Sequence, residues 1–335
     1  MSMIIERFRS DGSTPRAFEA VRAIPEHPLE RLAPGVQCLV ALDAGKPVAR
    51  LSLHLREDLV GAPGRSGLVG HYEALDRDAG VVLLTEACRT LVDEGAVRVL
   101  GPMNGSSWDR YRLAIVDEPG DPSPSPPFFP GEPANPPDYP RHFEAVGFHV
   151  VARYESRIDG LERDAPDAAD VAARVAEAGI SIRPLDVARF GAELDMLFAV
   201  SLEAFSGNAF YSPIGRVAFH ALYEPLLGIM DPDFVLVAVE RGGRACGFLF
   251  AYTDATRERE GQPRCLIAKT VAVAPDARGH GVAKHLLDRV RSAARGRGYV
   301  ELVHALMHVT NLSTRLSARH DSRIFRRYAL WEWTP

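Results

Sequence analysis

An α+β chain of two domains is the fold class the sequence predicts, and three observations carry that reading. At 335 residues the chain exceeds an ordinary domain, and a prior of about 150 residues per domain suggests two. Apolar positions switch repeatedly between period two and period 3.6, the pattern of strands joined by tight turns and then followed by helices. Finally, Val271-Ala-Val-Ala-Pro-Asp-Ala-Arg-Gly-His-Gly-Val-Ala283, continued by Lys284 to Val290, reads as a strand that passes through a glycine-rich turn into a helix.

In chain order, residues 37–42 and 47–55 form a hairpin across Asp43-Ala-Gly-Lys46, and 67–75 is a third strand. Residues 81–94 have helical spacing, and 97–100 is a strand ending at Gly101-Pro-Met-Asn104. Between Pro119 and Pro140 lie ten prolines, a density that excludes helix and central strand and predicts an extended loop whose Phe128, Phe129 and Tyr139 pack on a domain. Residues 164–179, opened by Asp164 and Asp167 and closed by Gly179, read as a connecting helix. The second half then offers a strand at 180–183, helices at 185–205 and 214–227, and a hairpin of 234–240 with 245–252 across Arg241-Gly-Gly-Arg244. Strand 265–273, a helix to about Arg297, strand 299–309, a short helix 311–318 and strand 324–333 complete the chain. The expected division is a first domain 1–160, a connecting helix 161–179 and a second domain 180–335.

The turn at 274–281 is where chemistry is expected. Gly279 and Gly281 let the backbone turn tightly with its N–H groups outward. The helix that follows adds unsatisfied amides and the positive end of its dipole. Leu286, Leu287 and Val290 anchor that helix to a core. An anion is the natural occupant.

The order Arg278-x-x-Gly281-x-Ala283 after a Val-x-Val-x-Pro strand resembles the acyl-CoA pyrophosphate loop of the GNAT (GCN5-related) N-acetyltransferases. It lacks the Gly-Lys-Ser/Thr of a Walker A loop and the three glycines of a dinucleotide fingerprint. The resemblance covers residues 180–335. It implies a mixed, mostly antiparallel sheet flanked by helices, with acetyl-CoA in a V-shaped gap between two strands. It further implies that Arg278, Gly279, His280, Gly281, Val282 and Ala283 take the pyrophosphate, that Val271, Ala272 and Val273 line the thioester with a backbone N–H of Val271 or Val273 on its carbonyl, and that Asn311 meets the pantetheine arm. The family's tyrosine acid would come seven residues after that asparagine, where this chain has Ala318. Tyr328, His320 or water could replace it, or the thiolate could leave unassisted.

The first half repeats the plan with blurred landmarks. Asp76-Arg77-Asp78-Ala79-Gly80-Val81-Val82 stands where the cradle would be, with one glycine and two carboxylates that repel a phosphate. His142-Phe-Glu-Ala-Val-Gly-Phe148 resembles the family's closing segment with Phe143 in place of a tyrosine. The reading is a tandem GNAT chain with a degenerate first copy; the competing one is an unrelated α/β domain of similar order.

Composition bounds the partners. A formal charge of -5 argues against nucleic acid as a partner. Cys38, Cys88, Cys246 and Cys265 lie within apolar patterns without C-x-x-C spacing and read as buried, reduced thiols. No apolar run approaches a bilayer span, so a soluble, cytoplasmic protein that could form a homodimer is expected. No metal is expected either, since no third ligand has suitable spacing beside His304 and His308. Those two histidines share one face of strand 299–309 by period two and are candidate general bases, with packing under a helix as the competing role. Asn208, Phe210 and Tyr211, between the first two helices of the second half, are candidate substrate contacts. Together these imply acetyl transfer from acetyl-CoA to a primary amine by direct attack. The alternatives are a non-catalytic acyl-CoA-binding or scaffolding protein and, more weakly, an aminoacyl-transferase relative.

Overall fold

The computed structural model describes residues 3–24, 32–115, 127–228 and 230–335. In order, the elements are β1 (Ile4–Arg9), α1 (Arg16–Ala20), β2 (Gln37–Asp43), β3 (Lys46–Arg56), β4 (Ser66–Ala74), α2 (Arg77–Asp93), β5 (Arg98–Gly101), β6 (Leu113–Ile115), α3 (Tyr139–Val146) and β7 (His149–Gly160). There follow α4 (Ala168–Glu177), β8 (Ile180–Pro184), α5 (Phe190–Phe205), α6 (Arg216–Tyr223), β9 (Val235–Glu240), β10 (Ala245–Thr253), α7 (Ala255–Arg259), β11 (Cys265–Val273), α8 (Val282–Gly296), β12 (Glu301–His308), α9 (Leu312–Ala318) and β13 (Arg323–Trp333).

The chain divides into two compact units. Unit 1 comprises Met1–Arg153, Asn208–Ser212 and Arg327–Pro335, and unit 2 comprises Tyr154–Gly207 and Pro213–Arg326. Neither boundary follows the simple halves expected from sequence. The strand 324–333, expected in the second domain, gives its residues from Arg327 onward to unit 1, where Trp331 pairs Gly101 and Tyr328 pairs Ala114. Conversely β7, expected in the first domain, contributes Tyr154–Gly160 to unit 2, where Ile158 pairs Val303.

Within unit 1, β1, β2, β3 and β4 pair antiparallel in succession, β5 joins β4 in parallel, and β13 closes on β5 antiparallel. Helix α2 lays Leu83, Leu84, Ala87 and Leu91 onto a core that includes Leu51, Val69, Phe143 and Trp331. Unit 2 repeats the scheme. β8, β9, β10 and β11 are antiparallel neighbours, β12 joins β11 in parallel, and the second half of β7 pairs β12 antiparallel. Helix α8 buries Leu286, Leu287, Val290 and Ala294 in its core. Each unit is thus a mixed, mostly antiparallel sheet flanked by helices, and hairpin, third strand, helix and parallel strand recur in the same order.

The proline-rich segment lies partly outside the described residues, at 116–126. From 127 to 138 it forms no helix or strand. Helix does begin at Tyr139, because Pro140 stands in its first turn, where a missing N–H removes no intrahelical bond. Phe129 and Tyr139 are buried. Residues 164–179 give only α4, and it is more than a connection: Val171 and Val175 are buried against α8.

Candidate active site

The site of unit 2 starts from a parting of two strands. β11 and β12 pair in parallel only from Cys265 opposite Glu301 to Ala268 opposite His304. Each then carries a bulge. On β10, Phe250 faces Thr270 and Ala251 faces Ala268, so Lys269 is the extra residue on β11. On β12, His304 faces Arg157 and Met307 faces Glu155, and Leu306 takes a left-handed φ of 57°. Bulges bend and twist a strand, and here they turn the two strands apart.

The parting leaves one edge of β11 with backbone groups directed at the gap. The Ala274 N–H donates to Cys246 O at 2.9 Å, so by strand alternation Ala272 also faces β10 while Val271 and Val273 face away. The Val273 carbonyl accepts from Arg278 Nε at 3.4 Å, as that direction requires.

The turn after β11 begins with the single 3₁₀ turn Pro275–Ala277 and continues through Arg278, Gly279 and His280, all exposed. Gly279 and Gly281 have φ of 89° and 91°, left-handed values that a side chain would strain. Gly281 is the N-cap of α8 and supplies no capping side chain. The His285 N–H donates to Gly281 O at 2.9 Å, so the amides of Val282, Ala283 and Lys284 precede the first intrahelical bond. Val282 is buried, which fixes the turn on the core. Arg319 ties the surrounding elements together, reaching Asp288 of α8 at 2.8 Å and Asp167, just before α4, at 2.5 Å. That guanidinium holds the Asp167 carboxyl below the usual range.

Asn311 stands exposed at the N-cap position of α9. Its side chain makes no capping bond.

The base candidates separate. The extra residue in β12 places His304 and His308 on opposite faces, because residues opposite Arg157 and Glu155 share a face whereas the one opposite Tyr154 does not. The period-two expectation therefore fails. His304 is buried, with Nε2 at 2.8 Å from Asp159 Oδ1, and Asp159 also binds Arg291. His308 is half-buried at the strand's end, packed edge-on to Tyr154, and its Nδ1 lies 2.8 Å from Thr310 Oγ1.

Tyr328 lies apart from these histidines in the chain's division into units. It belongs to unit 1, is fully buried there, and donates its hydroxyl to Glu132. Asn208, Phe210 and Tyr211 also group with unit 1. The Phe210 N–H donates to Val60 O at 2.8 Å, Val60 returns a bond to Tyr211 O at 3.0 Å, and Tyr211 packs buried against Trp108.

The corresponding place in unit 1 is built differently. Only residues 75–76 link β4 to α2, against 274–281 between β11 and α8. Asp76 caps α2 by accepting from the Ala79 N–H at 2.8 Å. Gly80, expected in a loop, is helical and lies under Tyr72 and His142, where a Cβ would come within 2.6 Å of the histidine ring. Beyond the β4–β5 pairing, the chain itself occupies the gap. The Met103 N–H donates to Val69 O at 2.8 Å and the His71 N–H to Asn104 Oδ1 at 2.7 Å.

Sequence reasoning missed the two bulges and the Arg319 tie. Neither bulge has a glycine or proline to signal it.

Residues 202–316 match the acetyltransferase (GNAT) family profile. No curated protein matches the chain. Among solved structures, it is similar to the tandem GNAT protein of the clavulanic acid biosynthesis pathway, solved without AcCoA, at 15% identity over 99% of this chain and 98% of that one, with a TM-score of 0.57. It is similar to Eis1 from Mycobacterium abscessus at 15% identity over 99% of this chain and 73% of that one, TM-score 0.56. A GCN5-related glucosamine N-acetyltransferase region of a fungal multi-domain GH3 beta-N-acetylglucosaminidase aligns at 17% identity and TM-score 0.59; there this chain is matched over 99% of its length but spans 38% of the larger protein. At such identities the likeness is one of fold.

Proposed function

We propose that this chain, which carries a domain of the acetyltransferase (GNAT) family over residues 202–316, transfers the acetyl group of acetyl-CoA to a primary amine at the site in unit 2. The observation that carries the reading is the uncapped start of α8 beside the parted strands. Three amides and the helix dipole face the turn of Arg278–Gly281, and the N-cap residue, Gly281, supplies no side chain to satisfy them. A pyrophosphate there would set the pantetheine arm along the Val271–Val273 edge, with Asn311 at its side.

In this reading the amine nitrogen attacks the thioester carbonyl carbon and the C–S bond breaks. The Val271 or Val273 N–H receives the oxygen as negative charge builds on it, an oxyanion-hole role. The amine proton passes to His308, or through water, and the leaving thiolate is protonated from solvent, since Ala318 offers no acid. Direct attack is favoured over a covalent enzyme intermediate by the state of the thiols. All four cysteines are buried, and burial pushes Cys246 up to about 11 and the others to about 12, which leaves no thiolate nucleophile near neutral pH.

Unit 1 is read as a degenerate copy without CoA, since its own Asp76 and its own Met103–Asn104 segment occupy the helix cap and the strand gap. The test is CoA release from acetyl-CoA against polyamines, aminoglycosides, amino acids and peptides, with His308→Ala compared on any substrate found. A base role predicts a loss of roughly 10²- to 10⁴-fold. Binding of acetyl-CoA with no release by any amine would favour the non-catalytic reading.

A further inference from the structure

The hairpin of β9 and β10 meets the site of unit 2 through one charged side chain. Within the hairpin the Glu240 N–H donates to Arg244 O at 3.0 Å and the Gly243 N–H to Glu240 O at 2.8 Å, with Gly243 at a φ of 85°, so the turn is closed on itself. Gly247 pairs Val273, the last residue of β11. That antiparallel register sets Arg244, three residues before Gly247, beside the turn that follows Val273.

Three carboxylates converge on this guanidinium. Arg244 Nη2 donates to Glu240 at 2.7 Å and to Asp276 at 2.6 Å, and Nη1 lies 3.7 Å from Glu203. Each carboxylate comes from a different element: Glu240 from β9, Asp276 from the turn two residues before Arg278, and Glu203 from the last turn of α5. Arg278 reaches the same helix end, donating from Nη2 to Ala204 O at 3.2 Å. A helix C-terminus carries partial negative charge. The turn read as the seat of the pyrophosphate therefore has acidic neighbours on two sides.

Stability is a poor explanation of this cluster. The Arg244 side chain is 41% exposed and that of Asp276 64%, and exposed ion pairs contribute little to folding. An anion seated in the turn is more sensitive to it. Without Arg244, the charges of Glu203, Glu240 and Asp276 would stand uncompensated beside that anion and repel it.

We propose that Arg244 is a positioning residue for acetyl-CoA: it neutralises Glu203, Glu240 and Asp276 and braces the turn against α5, so that Arg278 and the α8 amides meet the pyrophosphate without competing negative charge. The role requires no contact between Arg244 and the cosubstrate. It rests on the reading of unit 2 as the acetyl-CoA site.

The test measures acetyl-CoA binding to the full chain by calorimetry, at low salt and at about 1 M salt, where the screening length is about 3 Å. Arg244→Gln should bind about 5- to 20-fold more weakly than the parent at low salt, by a ratio that shrinks at high salt, while its melting temperature stays at the parent's. Adding Asp276→Asn to Arg244→Gln should recover most of the loss, because the carboxylate of the turn itself is withdrawn. Arg244→Lys, which keeps the charge, should lose little affinity. Parental affinity in Arg244→Gln, a loss that salt does not diminish, or no recovery on adding Asp276→Asn would overturn the role. If Arg244→Gln does not fold, Asp276→Asn alone decides, with tighter binding at low salt expected and unchanged binding counting against the proposal. A parent chain that binds no acetyl-CoA would overturn the reading of unit 2 and this role together, whereas the other contrary outcomes strike the role alone.

Discussion

Asp76 and Gly281 stand at the heads of the two corresponding helices and act in opposite ways. Asp76 spends its carboxylate on the Ala79 amide, whereas Gly281 has nothing to offer and leaves the α8 amides open. Asp76→Ala should therefore lower stability by about 1 kcal/mol, read as a shift in the urea midpoint, without creating a second acetyl-CoA site. A gain of CoA binding would mean that capping is all that excludes it. Tyr328→Phe should cost about 1–3 kcal/mol, because it strips a buried donor from Glu132, and should leave kcat unchanged; a fall in kcat at unchanged stability would return that hydroxyl to the reaction. The glycines of the turn were legible because tight turns before an apolar helix admit few alternatives. The pairing of His304 with Asp159 was not, since the partner is remote in sequence and a bulge of ordinary residues reversed the face of His308.

Among elements, those with strong apolar alternation were readable from sequence, and β11 ends where the valine pattern ends. β1 was not, because four of its six residues IIERFR are exposed and three are charged, the dress of an edge strand. The more telling failure concerns β7 and β13. Each is an evident strand, yet which sheet it joins depends on contacts that sequence order does not encode. A consequence is that a fragment beginning at Asp167, natural on the sequence reading, lacks Tyr154–Gly160. β12 would lose its antiparallel neighbour and Arg291 its Asp159 partner. Such a fragment should be aggregated or unfolded by size-exclusion chromatography and circular dichroism, whereas a folded monomer would show that β7 is dispensable.

For the whole molecule, four histidines among the described residues are pushed down by burial, His285 among them, and three of them strongly. His54 is pushed down to about 4, and His71 and His320 to about 3, from an ordinary 6.5. The native state therefore binds fewer protons than the unfolded chain between those values, and stability must fall as pH drops through that window. Each histidine contributes no more than about 2 kcal/mol of loss between pH 6.5 and 5, visible as a lower urea midpoint at pH 5 than at pH 7. His320→Asn should shrink the difference; an unchanged pH dependence in that variant would mean His320 is not one of its sources.

The central claim is that one site per chain, at the start of α8, takes acetyl-CoA, and calorimetric titration of the full chain tests it most directly. The account predicts a stoichiometry of one, abolished by Gly281→Glu, whose side chain would bring like charge to the pyrophosphate, and strongly weakened by the exposed Arg278→Glu. Two molecules bound per chain, or the parental affinity in both variants, would contradict it.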